Sequence, residues 1–197
     1  MKENGKAART REHIVKTAVE YINEHGAIFS LEEIARHAGV SKGGLLYNFP
    51  SKVALIRAIV AHFVADLEAT VAEAEARLSQ DPYPNKLMRA LLVGLSEKCQ
   101  ENEGPHSGML AAIVDDPDML DPVRDFHSRV YNRIMAESEH PELARFAYMA
   151  VEGIRAQQIF QILPVAEGET VHMLQWMDRA LKSGDWPGLK EDTDLTL

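Results

Sequence analysis

An all-α fold is predicted by three observations. Apolar residues recur at helical spacing along the whole chain, no stretch alternates in the manner of a strand, and proline or glycine marks most of the breaks between periodic segments. The expected architecture is an N-terminal three-helix helix-turn-helix domain over residues 1–50, a larger helical domain over 51–183, and a flexible acidic tail over 184–197.

The elements follow in order. Thr10 is placed to cap a first helix whose inner face carries Ile14, Val15, Ala18, Val19 and Ile22, and Gly26 ends it. Ser30 and Glu33 make a capping-box pattern, with Phe29 and Ile34 at the flanking apolar positions, so a second helix starts at Leu31 and stops near Ala38. Gly39 supplies a turn, Ser41 caps a short third helix over 42–48, and Pro50 disfavours helical geometry at Phe49. Ser51 then caps a long helix free of glycine and proline. Run from Lys52 to Leu78, it would span about 40 Å. Further helices are expected over 85–101, 107–115, 122–138, 141–163 and 168–183, with Asp116-Pro117 and Asp121-Pro122 as N-cap and N1 pairs.

Composition narrows the function classes. With 46% hydrophobic and 26% charged residues, the 197-residue chain reads as soluble with a real core. No apolar run approaches the ~18 residues of a membrane helix. The start, MKENGKAARTRE, lacks the apolar stretch of a secretion signal, and Cys99, the single cysteine, has no internal disulfide partner. A cytoplasmic protein is expected. The net charge of −9 is split: residues 1–62 hold nine basic against six acidic side chains, and 63–197 hold twelve against twenty-four. A basic head on an acidic body suggests that only the head meets a polyanion.

The second and third helices have helix-turn-helix spacing. Ala35 is small enough for the two to approach, Gly39 turns the chain, and Val40 and Leu45 join Ile34 in a shared core. The stretches TREHIVKTAVEYINEHG and EEIARHAGVSKGGLLYNFPSKVALIRAI, within residues 10–60, resemble the DNA-binding domain of the tetracycline-repressor (TetR) family of bacterial transcriptional regulators. The GVSKG block, Phe49 and Ser51-Lys52 carry that resemblance. The C-terminal two-thirds resembles the family only in helical layout and length. The resemblance implies a homodimer whose larger domain binds a small molecule and thereby releases double-stranded operator DNA, most often as a repressor. Departures from the family pattern are Gly44 for a threonine or serine, Leu46 for a tyrosine, Asn48 for a histidine and Val53 for a glutamate, so base preferences do not carry over.

On a helical wheel Gly43 and Tyr47 lie opposite Leu45, which must face the core. With Ser41 as N-cap, Gly43 and Gly44 fall in the first turn, where free N–H groups and missing side chains allow close approach to DNA. The alternative is that the glycines only make room for a neighbouring helix. Tyr47 offers a ring and a hydroxyl. Lys42 can reach a phosphate or a guanine edge. Asn48 suits either adenine or the capping of its own helix. Lys52 opens the fourth helix, where it suits either a phosphate contact or simple solvation, and Thr10 and Arg11 are candidates to grip the backbone from the first.

In the body, Phe63, Leu67, Leu92, Leu95, Met109, Ile113 and Phe126 sit at core-facing spacings, and a subset could line a ligand pocket with Glu152 as its polar group. The resemblance places a dimer face on the last two helices, where Gly153, Arg155, Gln158, Trp176 and Met177 are the candidates. Cys99 extends the Leu87, Leu91, Leu95 stripe as a small buried residue. No cofactor or resident metal is expected. The rival readings are a small α-helical metal-dependent enzyme and an architectural DNA-binding protein without a ligand. For the former, Asp115, Asp116, Asp118 and Asp121 cluster without the glycine of a calcium loop, and His62, His106 and His127 would have to meet in space.

Overall fold

The computed structural model describes residues 2–26, 28–100, 116–160 and 162–185, and among these the regular structure is helical throughout. The helix expected over 107–115, Met109, Ile113, Asp115, His106, the tail beyond residue 185 and the side chain of Cys99 lie outside the described residues. Eight α-helices are described: α1 (Lys2–His25), α2 (Leu31–His37), α3 (Lys42–Asn48), α4 (Lys52–Arg77), α5 (Lys86–Gln100), α6 (Asp121–Glu137), α7 (Pro141–Ile159) and α8 (Glu167–Ser183). They group into two compact units, one drawn from residues 1–68 and 104–127, the other from 69–103 and 128–197.

In the first unit α1, α2 and α3 pack on one another. Their core is the predicted one: Ile14, Ala18, Ile22, Phe29, Ile34, Leu45 and Phe49 are all buried. Thr10 does not cap α1. The helix runs unbroken from Lys2, because Ala7, Ala8 and Arg9 are strong helix formers and nothing at Thr10 interrupts the ladder. Gly26, at φ +91°, closes it where a left-handed residue is required. Asp116 caps a single 3-10 turn over Pro117–Leu120 by accepting from the N–H of Asp118. That turn feeds straight into α6, so Asp121 is already helical (φ −54°, ψ −41°) and does not serve as a cap.

In the second unit α5 lies along α8, and α7 meets both. Leu87, Leu91 and Leu95 form the buried stripe expected of α5, facing a core that includes Ile134, Ala147, Val151, Leu174 and Leu181. Helix α7 stops at Ile159, before the expected Leu163, with Phe160 as its C-cap, and Pro164 bars Leu163 from helical geometry. Two polar devices close this unit. Asn85, buried at φ +58°, donates its amide to the Leu181 carbonyl (2.8 Å), and its side-chain oxygen accepts the Glu139 N–H (3.1 Å). Arg89, 1% exposed, forks onto Asp81 (2.6 and 2.9 Å), and its Nε donates to Asp178 (2.8 Å).

Candidate nucleic-acid interface

The hairpin that presents α3 is fixed by local bonds. Ser30 accepts the Glu33 N–H (3.2 Å) while its own N–H donates to the Glu33 carboxylate (2.7 Å), closing the capping box. The hydrogen bonds from Ser30 hold the Glu33 carboxyl below its ordinary pKa. After α2 the chain reverses at Gly39 (φ +65°), and the Val40 N–H reaches back to the Ala35 carbonyl (3.0 Å). Helix α3 then opens on Ser41, whose hydroxyl accepts the Gly44 N–H (3.0 Å). It ends where Phe49 turns extended ahead of Pro50.

The wheel prediction matches the burial of α3. Leu45 is fully buried, whereas Gly43 is exposed and Tyr47 is 84% exposed. The two glycines differ. A Cβ at position 43 would meet no atom within 4 Å, but one at position 44 would lie 3.1 Å from the Ser41 hydroxyl, so Gly44 also leaves space for the cap. Neither glycine clears room for α1 or α4.

Several candidate contacts turn out to be tied within the fold. The Asn48 amide donates to the Gly44 carbonyl (2.9 Å), an internal bond along α3. Arg11 donates to the Asn48 carbonyl and lies over the Phe49 ring, 4.1 Å from its centroid, which pins the C-terminal end of α3 to α1. Lys42 bonds Glu32 on α2 (3.0 Å), an exposed and hence weak pair. Lys52, at the start of α4, holds its ammonium 4.7 Å from the Phe29 ring centroid. Thr10 is half-buried inside α1. Along α3, Ser41, Lys42, Gly43 and Tyr47 are exposed and Gly44 is half-buried. Sequence reasoning did not single out Leu46 on α3 or Val53 in the first turn of α4, which are 38% and 41% exposed. Leu46, one position before Tyr47 on the α3 wheel, was the available signal for the first of these.

The body candidates fall in both units. Phe63 (half-buried), Leu67 and Phe126 (both buried) belong to the first, and Leu92 and Leu95 (buried) and Glu152 (half-buried) to the second. Glu152 lies 3.6 Å from Arg155, and burial together with the Glu152 charge pushes the Tyr148 hydroxyl above its ordinary pKa. Of the dimer candidates, Met177 is 4% exposed and shares one inward stripe of α8 with Leu174 and Leu181. Trp176, Arg155 and Gln158 are half-buried, and a Cβ on Gly153 would meet nothing within 4 Å. Five large apolar side chains on or beside α7 and α8 were not singled out from sequence: Phe146, Met149, Phe160, Ile162 and Met173 are 45–64% exposed. Among the described residues no group of three His, Cys, Asp or Glu side chains could hold a metal ion, and no helix is long and apolar enough to cross a membrane.

Two family models match the chain. One, described as bacterial regulatory proteins, tetR family, matches residues 14–59, and the other, tetracyclin repressor-like, C-terminal domain, matches 85–182. Solved structures of similar fold include the multidrug binding protein EbrR complexed with ethidium (22% identity over 85% of this chain and 97% of that one, TM-score 0.56). A transcriptional regulator from Aquifex aeolicus VF5 aligns at 20% identity over 89% and 96% of the two chains, TM-score 0.54. A gamma-butyrolactone receptor aligns at 18% identity over 88% and 98%, TM-score 0.51. With one model on the helix-turn-helix and the other on the helices α5 to α8, the chain belongs to the tetR family of bacterial regulatory proteins and is a DNA-binding transcriptional regulator.

Proposed function

We propose that this regulator is a homodimeric repressor that leaves a roughly palindromic operator when a small molecule binds its larger domain, residues 51–183. The outward end of α3 carries the DNA half of the reading: a short helix with a fully buried Leu45 on one side and an 84% exposed Tyr47 on the other has the form of a groove-reading helix. Ser41, Lys42, Gly43, Gly44 and Tyr47 meet the duplex there, Lys52 takes a phosphate at the start of α4, and Arg11 and Asn48 hold α3 in place.

Two observations support the rest. The exposed Phe146 and Met149 lie on one stripe of α7 with Gly153, where a second helix could approach closely. Such a stripe suits a two-fold contact between copies of the chain, and a two-fold dimer suits a palindrome. The ligand half draws on EbrR, whose structure was determined with ethidium. In this chain the half-buried Glu152 is the candidate polar group of a site. Because α4 is one unbroken helix from Lys52 to Arg77, a shift at one of its ends would be carried to the other.

Footprinting on genomic fragments should give a symmetric protected site, with half-site centres about 34 Å or a multiple apart. A thermal-shift screen of metabolites and drugs should then yield a compound that raises the melting temperature and weakens operator binding. The coupling must be reciprocal, so a compound that weakens DNA binding a hundredfold, about 2.7 kcal/mol, must itself bind a hundredfold more weakly to the operator complex. Sequence-independent binding by a monomer would overturn the proposal.

A further inference from the structure

We propose that α3 reads its half-site chiefly through the C5 methyl groups of thymine, touched by the Tyr47 ring and the Leu46 side chain. The inference rests on α3 being the groove-reading helix and specifies which base it selects.

Helix α3 has few hydrogen-bonding groups left to offer a base edge. Direct reading of guanine needs an arginine or lysine on N7 and O6, and reading of adenine needs an asparagine or glutamine fork on N6 and N7. Helix α3 is KGGLLYN, with one lysine and one asparagine. The Asn48 amide donates to the Gly44 carbonyl at 2.9 Å, which takes one of its two N–H donors and holds the side chain back along its own helix. Arg11 of α1, at the end of α3, is committed to the Asn48 carbonyl and the Phe49 ring. Lys42 is paired with Glu32 across the hairpin. That pair is exposed and opens readily, but a freed ammonium beside DNA is a point charge that a phosphate satisfies as well as a base does.

Apart from the Lys42 ammonium and the Tyr47 hydroxyl, what α3 presents outward is apolar. Tyr47 is 84% exposed and Leu46 38% exposed, while positions 43 and 44 carry no side chain. A low backbone profile in the first turn lets the helix seat deeply, which brings side chains of the next turn to the floor of the groove. In the major groove only thymine offers an apolar group, its methyl. The Tyr47 hydroxyl remains able to donate to or accept from a base edge or phosphate, but it distinguishes bases poorly because it can do either.

The test uses the full-length protein. Its preferred site is selected from random duplex DNA, and each thymine of the half-site is then replaced by uracil, which removes only the methyl. At the one or two contacted positions, affinity should fall about fourfold per methyl, the effect of exposing one methyl-sized group. In Tyr47→Ala the loss at the Tyr47 position should vanish, and in Tyr47→Phe it should persist. Tyr47 is surface-exposed, so both variants should fold. Specific binding that is indifferent to uracil at every position would overturn methyl reading and leave the DNA-binding reading intact. A loss of specificity on replacing guanine by 7-deazaguanine would likewise overturn it, in favour of Lys42 on guanine. Selection that enriches no sequence would overturn both.

Discussion

Arg89→Met should destabilise the second unit severely while leaving α3 untouched. The guanidinium is 1% exposed, and its Nε and both terminal nitrogens donate: two bonds to Asp81, one to Asp178, and a longer one to the Tyr83 carbonyl (3.4 Å). Methionine keeps the apolar stem but removes all of these donors. Deleting one partner of a buried ion pair costs about 3–5 kcal/mol. Asp81 and Asp178 are each 20% exposed, and Asp178 keeps Lys182 at 2.7 Å, so water and Lys182 relieve part of the stranded charge. The lower end, about 3 kcal/mol, is expected, which for a chain of this size lowers the melting temperature by about 6–12 °C. Thermal unfolding followed by the helical circular-dichroism signal measures it at pH 7. The pH dependence has a definite sign. Hydrogen bonds from Arg89 depress the Asp81 carboxyl below its unfolded value, so its contribution is complete above the ordinary carboxylate range and is lost as pH falls through the lower folded value. The gap between wild type and variant should therefore narrow below about pH 4. A melting point at pH 7 within about 2 °C of wild type, or a gap that stays constant into acid, would refute this account of Arg89.

Four further outcomes are expected. Arg11→Met should weaken binding to every DNA sequence with the salt slope unchanged, because the guanidinium holds the Asn48 carbonyl, whereas Lys52→Ala should lower the slope by about 1. Gly44→Thr should alter base preference in a binding-site selection, with a melting shift no larger than the loss of one cap, about 1 kcal/mol, since the new Cβ presses on the Ser41 hydroxyl. Gly184→Ala should cost more than about 1 kcal/mol in urea unfolding, because φ is +76° and the added carbon would run into the His140 ring. Met149→Asp, on the exposed stripe of α7, should shift the mass measured by light scattering from dimer to monomer and reduce operator affinity with it.

The parts of the molecule legible in its sequence are those set within a few residues. Ser30 and Glu33 are three apart and cap one another as their spacing requires. Leu45 and Tyr47 are two apart on a helix, so burying one exposes the other. What escaped reading depends on distant partners. Arg89 looks like a surface residue until Asp178, 89 positions away, is brought to it, and Arg11 looks like a phosphate contact until Asn48 arrives. The inward stripe of Leu174, Met177 and Leu181 follows from their i, i+3, i+7 spacing alone. Phe146 and Met149 were invisible for another reason: an apolar residue at helical spacing reads as core whether or not its own chain covers it.

The amide of Asn85 bears on how the chain is made. Its bonds to Glu139 and Leu181 join residues 54 and 96 positions apart, and α5 lies along α8 over the same span. On a ribosome, the contacts among α1, α2 and α3 are all available once Phe49 has emerged, but α5 must wait for almost the whole chain before its partner helix exists. Until then the buried face of α5, with Leu87, Leu91 and Leu95, has no α8 to cover it. The nascent protein therefore passes through a stage with its three-helix head in place and the apolar face of α5 still uncovered, the stage at which exposed apolar surface favours aggregation most.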